Sequence, residues 1–179
     1  MNSTSDLNAE RFGFSGSTSI VSSCLALAGC AGYGPTPALV GQDRQAVIAL
    51  LGKPATERST TAGLRLEYPK GPMGRQTYFV YLDSNQRVSR WEQVLTKSNF
   101  AKILPGMPAA VVEELIGKSL VIDSLARDRG EVWSYRFETS FCIWFQIEMT
   151  KEGTVRSAGY GIPPECRQDR DASLGRILG

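Results

Sequence analysis

Two stretches of this chain repeat each other. Gly41-Gln42-Asp43-Arg44-Gln45-Ala46-Val47-Ile48-Ala49-Leu50-Leu51-Gly52-Lys53 aligns with Gly106-Met107-Pro108-Ala109-Ala110-Val111-Val112-Glu113-Glu114-Leu115-Ile116-Gly117-Lys118, at an offset of 65 residues and with the paired glycines eleven apart in both copies. A period of that length marks a duplicated unit and not a solenoid. In each copy the apolar residues fall at i, i+3 and i+4 (Val47, Leu50, Leu51; Val112, Leu115, Ile116), which predicts a short amphipathic helix. Pro108 suits a first helical turn, Gly52 and Gly117 suit a left-handed stop, and Pro54 follows Gly52 by two residues.

Strand patterns follow each copy. In the first half they cover residues 64–68, 76–82 and 87–95, with Asp83-Ser84-Asn85-Gln86 as a turn. In the second half they cover 132–137, 142–149 and 154–160, with a turn at Lys151-Glu152-Gly153. Trp133, Tyr135 and Phe137 alternate with Ser134 and Arg136, the signature of a half-buried antiparallel sheet. Weaker strands are expected at 56–60 and 121–125. Residues 98–104 predict a further short helix, with Ser98 as its N-cap and Pro105-Gly106 as its end. The expected fold class is therefore α+β: two tandem modules, 41–104 and 105–166, each a helix pair packed on an antiparallel sheet. Residues 167–179 mix charges with glycine and read as a flexible tail.

The N-terminal part carries a different message. Leu27-Ala28-Gly29-Cys30 looks like a lipobox, in which the cysteine sulfur is alkylated by a diacylglyceryl group and the chain is cut between Gly29 and Cys30. On that reading 1–29 is a signal peptide and 30–40 a lipidated linker. The run Ile20, Val21, Cys24, Leu25, Ala26, Leu27 resembles a secretory apolar region ending in small residues. Arg11 is the only cation before it, and Asp6 and Glu10 oppose it. The competing reading is an N-terminal tail with a chance Leu-Ala-Gly-Cys. No stretch reaches the ~20 apolar residues that a spanning helix requires. Membrane attachment would rest on acyl chains, each buried methylene contributing about 0.8 kcal/mol.

The chain has four cysteines and no histidine. Cys24 would leave with the signal and Cys30 would take lipid. Cys142 and Cys166 remain, an even pair suited to a disulfide in an oxidising periplasm; the alternative is a buried free Cys142 and an exposed Cys166. Without histidine, Ser-His-Asp catalysis, Cys-His catalysis and histidine metal ligation are excluded. No Gly-x-Ser-x-Gly nucleophile motif occurs. No catalytic residue, cofactor or metal is expected.

Net charge is +2, too small to argue for nucleic acid, but it is unevenly spread. Residues 41–104 hold ten Lys/Arg against five Asp/Glu (net +5), and 105–166 hold six against nine (net −3). A basic half could face anionic lipid; ordinary solvated surface explains the same numbers. Glu113 and Glu114 are adjacent, about 100° apart around a helix, and cannot form a carboxylate pair with each other. The loop Pro69-Lys70-Gly71-Pro72-Met73-Gly74-Arg75 combines glycines with Lys70 and Arg75, a possible anion or lipid-headgroup contact. It lacks P-loop spacing, and a plain hairpin loop of turn residues is the competing reading.

Leu50-Leu51-Gly52-Lys53-Pro54 after a helix, the tyrosine-bearing strands and Leu82-Asp83 before a turn resemble the BamE (SmpA/OmlA) family of outer-membrane lipoproteins. Pro105-Gly106-Met107 resembles the same family's Pro-Gly-Met at the start of its helix. Two such units in tandem are also similar to β-lactamase inhibitor proteins, secreted binders with duplicated modules. The chain departs from BamE in carrying two units and in having Asn85-Gln86 where that family's turn has glycine. The resemblance implies a non-catalytic envelope scaffold at the periplasmic face of the outer membrane, held there by lipid on Cys30. Its partners would be outer-membrane lipid, through the acyl anchor, and envelope proteins. Ala31 fits that location, because related lipoproteins kept at the inner membrane have aspartate there. The alternative implied is a periplasmic inhibitor or ligand-binding protein of the β-lactamase-inhibitor type.

Overall fold

A computed structural model describes residues 34–126, 129–164 and 166, which belong to one compact unit. The lipobox with Cys30, the expected signal peptide and the expected C-terminal tail lie outside the described residues. The architecture is two four-stranded antiparallel sheets in sequential strand order. The first holds β1 (Thr56–Thr60), β2 (Gly63–Lys70), β3 (Gln76–Leu82) and β4 (Val88–Gln93). The second holds β5 (Val121–Ser124), β6 (Glu131–Tyr135), β7 (Trp144–Met149) and β8 (Val155–Gly161). Three short α-helices accompany them among the described residues: α1 (Arg44–Leu51), α2 (Lys97–Phe100) and α3 (Ala109–Ile116).

This corrects the expected fold class. The molecule is sheet-dominated and does not consist of two helix-helix-plus-sheet modules. The physical reason lies at the helix ends. α1 and α3 run eight residues each before Gly52 (φ 81°) and Gly117 (φ 77°) stop them. Two turns are too short to be stable without a sheet to pack on. No α-helix partners α1 among the described residues of the first half. In the second half the partner is the single turn α2. Its N-cap is Thr96, not Ser98: the Thr96 hydroxyl accepts from the Asn99 N–H at 3.2 Å.

The duplication is visible in the backbone. Gly41 N–H donates to Val88 O (2.8 Å) and Val88 N–H to Gln42 O (2.8 Å). In the second half Gly106 N–H donates to Val155 O (2.7 Å) and Val155 N–H to Met107 O (2.8 Å). Each repeat thus ties the residues before its helix to the first residue of its last strand. The hairpin turns preceding those strands match as well, with Gln86 (φ 60°) standing where the second half has Gly153 (φ 74°). Asp83 compensates in the first turn, its carboxylate accepting from the N–H groups of Asn85 and Arg87 (both 2.9 Å).

Each sheet has its own core. Val47 and Leu51 of α1 pack with Leu39 on Leu66, Tyr68, Val80, Leu82 and Val88. Val112 and Ile116 of α3, with Phe100 of α2, pack on Trp133, Tyr135, Phe145, Ile147 and Met149. Phe100 stacks on Phe145 with ring centroids 4.2 Å apart, and Phe137 closes on its edge at 5.2 Å.

Candidate functional site

The two sheets treat their outer faces differently, and the difference defines where a ligand can reach. Arg65 and Glu67 alternate with Leu64, Leu66 and Tyr68 along β2, so they lie on the face away from α1. Both are nonetheless only 3% exposed. They meet α3 of the second half. Arg65 pairs with Glu67 at 2.8 Å and with Glu114 at 2.6 Å, and its guanidinium lies 4.1 Å from the Phe79 ring centroid. Arg58 pairs with Glu67 at 3.0 Å, with Glu114 at 3.7 Å and, more closely, with Glu113. Glu113 and Glu114, too divergent to pair with each other, converge on the forked guanidinium of Arg58. The Tyr135 hydroxyl donates to Gly117 O at 3.1 Å beside this network. Burial, and then the charges of Glu113 and Glu67, push its pKa above the ordinary tyrosine value.

This network joins the halves, and nothing local in the sequence announced it. The available signal was the charge split itself: cations of the basic half meet carboxylates of the acidic half inside the molecule. Paired with one another across the two halves, these groups form a joint and not a ligand site.

Among the described residues, no helix covers the outer face of the second sheet. There Gln146 donates to Ser134 Oγ (3.0 Å), while Glu148 accepts from Arg156 (2.5 Å) and Ser157 (3.3 Å). A shallow hollow of about 320 Å³ lies here, lined by Val132, Gln146, Glu148, Ser157 and Gly159 among others. β8 is an edge strand whose residues from Arg156 to Tyr160 are exposed.

At one end of the same face, Trp144 is covered by the β6–β7 connection and by the turn before β3. A cleft of about 260 Å³ opens between them, lined by Arg75, Arg136, Thr139, Ser140, Phe141 and Trp144 among others. Arg136 lies over the indole, 4.9 Å from its centroid. Arg75 arrives from a 3-10 turn, Pro72–Gly74, in which Met73 holds a left-handed backbone (φ 54°). Such a conformation costs a non-glycine residue of order 1 kcal/mol. Gln76 donates to Glu138 across the two loops at 2.5 Å.

The expected site residues separate. Lys70 Nζ donates to the Leu51 carbonyl, capping the C-terminal end of α1, and lies 5.5 Å from the Tyr68 ring centroid. Arg75 lines the cleft, where its companion is Arg136, a residue that strand alternation places only on the face opposite Trp133, Tyr135 and Phe137. Cys142 and Cys166 are disulfide-bonded, with Cα atoms 6.3 Å apart, and Cys142 lies on the cleft wall. Cys30 and Gly29 lie outside the described residues. Among the described residues no group of three or more His, Cys, Asp or Glu could hold a metal ion. No helix among them is long and apolar enough to cross a membrane.

No protein-family model matches the chain, and no curated protein matches it. Among solved structures it is similar to a DUF4309 family protein, YjgB, from Bacillus subtilis subsp. subtilis str. 168: 14% identity, 74% of this chain and 88% of that one, TM-score 0.29. It is also similar to an extracellular protein containing an SCP domain from Bacillus anthracis str. Ames: 13% identity, 73% of this chain and 46% of that one, TM-score 0.30.

Proposed function

We propose that this chain is a lipid-anchored, non-catalytic envelope protein whose second sheet serves as a binding scaffold on the periplasmic side of the outer membrane. The observation that carries the reading is the cysteine distribution. With Cys142 bonded to Cys166 and Cys24 inside the expected signal, Cys30 of the Leu-Ala-Gly-Cys motif is the thiol left over for acylation. A disulfide also suits an exported chain. The tether raises the effective concentration of a partner at the membrane, so the open face of the second sheet need bind only weakly. The BamE-like motifs around Gly52 and Gly106 make outer-membrane assembly the first process to examine.

A photoreactive residue placed at Ser157 on the open face, with Ser84 in the β3–β4 turn as the control, tests this in living cells. Discrete adducts with envelope proteins from Ser157 and not from Ser84 are expected. Barrel-assembly subunits among them would narrow the role to outer-membrane assembly. Adducts with one soluble enzyme alone would overturn the scaffold in favour of an inhibitor. Equal labelling from both positions would remove the assigned face.

A further inference from the structure

We propose that the cleft between the Pro72–Gly74 turn and the β6–β7 connection binds a phosphate group. The inference does not depend on the lipid anchor. It begins with three indoles. Trp91 Nε1–H donates to Thr36 O (3.2 Å) and Trp133 Nε1–H donates to a Glu131 carboxylate oxygen (2.9 Å). Trp144 is 7% exposed, and its buried Nε1–H has no acceptor among the described residues. A buried donor without a partner is costly unless something outside the chain supplies an acceptor.

The surroundings of Trp144 select the acceptor. Arg75 and Arg136 bring two guanidiniums to the same cleft. Guanidinium forks match the paired oxygens of phosphate. Thr139 Oγ1 accepts from the Phe141 N–H at 3.2 Å, which leaves its own proton to donate, and Ser140 adds a second hydroxyl. The neighbouring carboxylate, Glu138, is engaged by Gln76. Donor-bearing side chains from the turn, from the connection and from β7 thus line one cleft, a set suited to a tetrahedral oxyanion more than to a planar carboxylate. Phe141, 70% exposed, stands on the cleft wall, and Met73, 51% exposed, stands on the turn that delivers Arg75. Apolar side chains beside a phosphate site suit a phosphate carried by a phospholipid; free phosphate would use the polar donors alone.

The test uses the full chain with Cys30→Ser, so that no acyl chain contributes. Amide and indole NMR of the ¹⁵N-labelled protein is recorded during titration with inorganic phosphate and with glycerol phosphate. Co-sedimentation is then compared for vesicles of phosphatidylglycerol mixed with phosphatidylcholine and for phosphatidylcholine alone. The Trp144 indole signal is expected to move on phosphate addition while those of Trp91 and Trp133 stay. Arg75→Gln is expected to weaken binding about tenfold or more. Arg75 sits on a surface turn, and unchanged Trp91 and Trp133 signals will show that the variant is folded. A phosphatidylglycerol preference that Arg75→Gln removes assigns the site to a lipid headgroup. Indole movement with no such preference assigns it to free phosphate. A Trp144 signal indifferent to both phosphates, or vesicle binding indifferent to Arg75→Gln together with an unmoved indole, overturns the proposal.

Discussion

Strands β2 and β7 are both central strands with alternating side chains, yet β2 hides two faces along its middle, whereas β7 hides its inner face and, on the outer one, only Trp144. In β2 the four residues Arg65 to Tyr68 are all buried, because α1 covers the leucine face and α3 brings Glu113 and Glu114 down on the arginine face. In β7 the inner residues Phe145, Ile147 and Met149 are buried, while Gln146 and Glu148 stay half-exposed. The same duplicated pattern has therefore yielded one sheet specialised for internal attachment and one that, among the described residues, is open on its outer side beyond Trp144. The first gains rigidity from charge that it buries at high desolvation cost. The second keeps polar groups near solvent, where a partner can replace water.

That contrast can be broken most severely at Glu67. Glu67→Ala leaves Arg65 buried with reduced compensation and is expected to cost about 3–5 kcal/mol in denaturant unfolding. Glu148→Gln on the open face is expected to leave the unfolding midpoint close to that of the parent. Combining Arg65→Met with Glu67→Leu should cost less than Glu67→Ala, since no lone charge remains. A double variant as unstable as the single one would mean that the network specifies the joint between the halves and is not merely self-cancelling.

The second sheet should be the one that depends on covalent support. Cys142 and Cys166 close a loop of 24 residues' separation. Replacing both by serine is expected to cost about 3 kcal/mol on chain-entropy grounds. Hydrogen exchange should show the loss concentrated in β6–β8, with β1–β3 protected as before. Uniform loss of protection in both sheets would show the two cores to be one cooperative unit.

A smaller effect compares the two hairpin turns. Gln86 occupies a left-handed conformation that Gly153 adopts freely in the other half. Gln86→Gly is expected to stabilise by up to about 1 kcal/mol, read as a raised thermal midpoint, and Gly153→Gln to destabilise.

A further difference is confined to alkaline pH. Burial, and then the charge of Glu57, push Tyr68 up to about 12. The fold therefore favours its protonated form. Its contribution is complete below the unfolded tyrosine pKa near 10 and is lost as pH rises from there through 12. Tyr68→Phe is expected to keep stability near neutral pH, because the buried hydroxyl has no hydrogen-bond partner among the described residues, and to flatten part of the decline above pH 10.

What could be read from the chain beforehand was local. The period of 65 residues, the helix ends at Gly52 and Gly117 and the alternation of Trp133-Ser134-Tyr135 all follow from neighbours in sequence. The helix pairs were over-read: residues 98–104 have helical composition, but Thr96 starts the turn and Ala101 ends it after four residues. The burial of Arg65 and Glu67 could not be read from β2, since an Arg-x-Glu alternation looks identical on a solvated strand. Only their partners, about 50 residues downstream, make them interior. The cleft depends in the same way on two loops from different repeats, and periodicity carries no information about how such loops meet.

The central claim is that a binding body is tethered by lipid at Cys30. The mass of the N-terminal peptide of the mature protein, recovered from the membrane fraction, tests it most directly. The account predicts a peptide beginning at Cys30 and carrying diacylglyceryl. A chain that starts at Met1 with an unmodified Cys30 in the soluble fraction would contradict it.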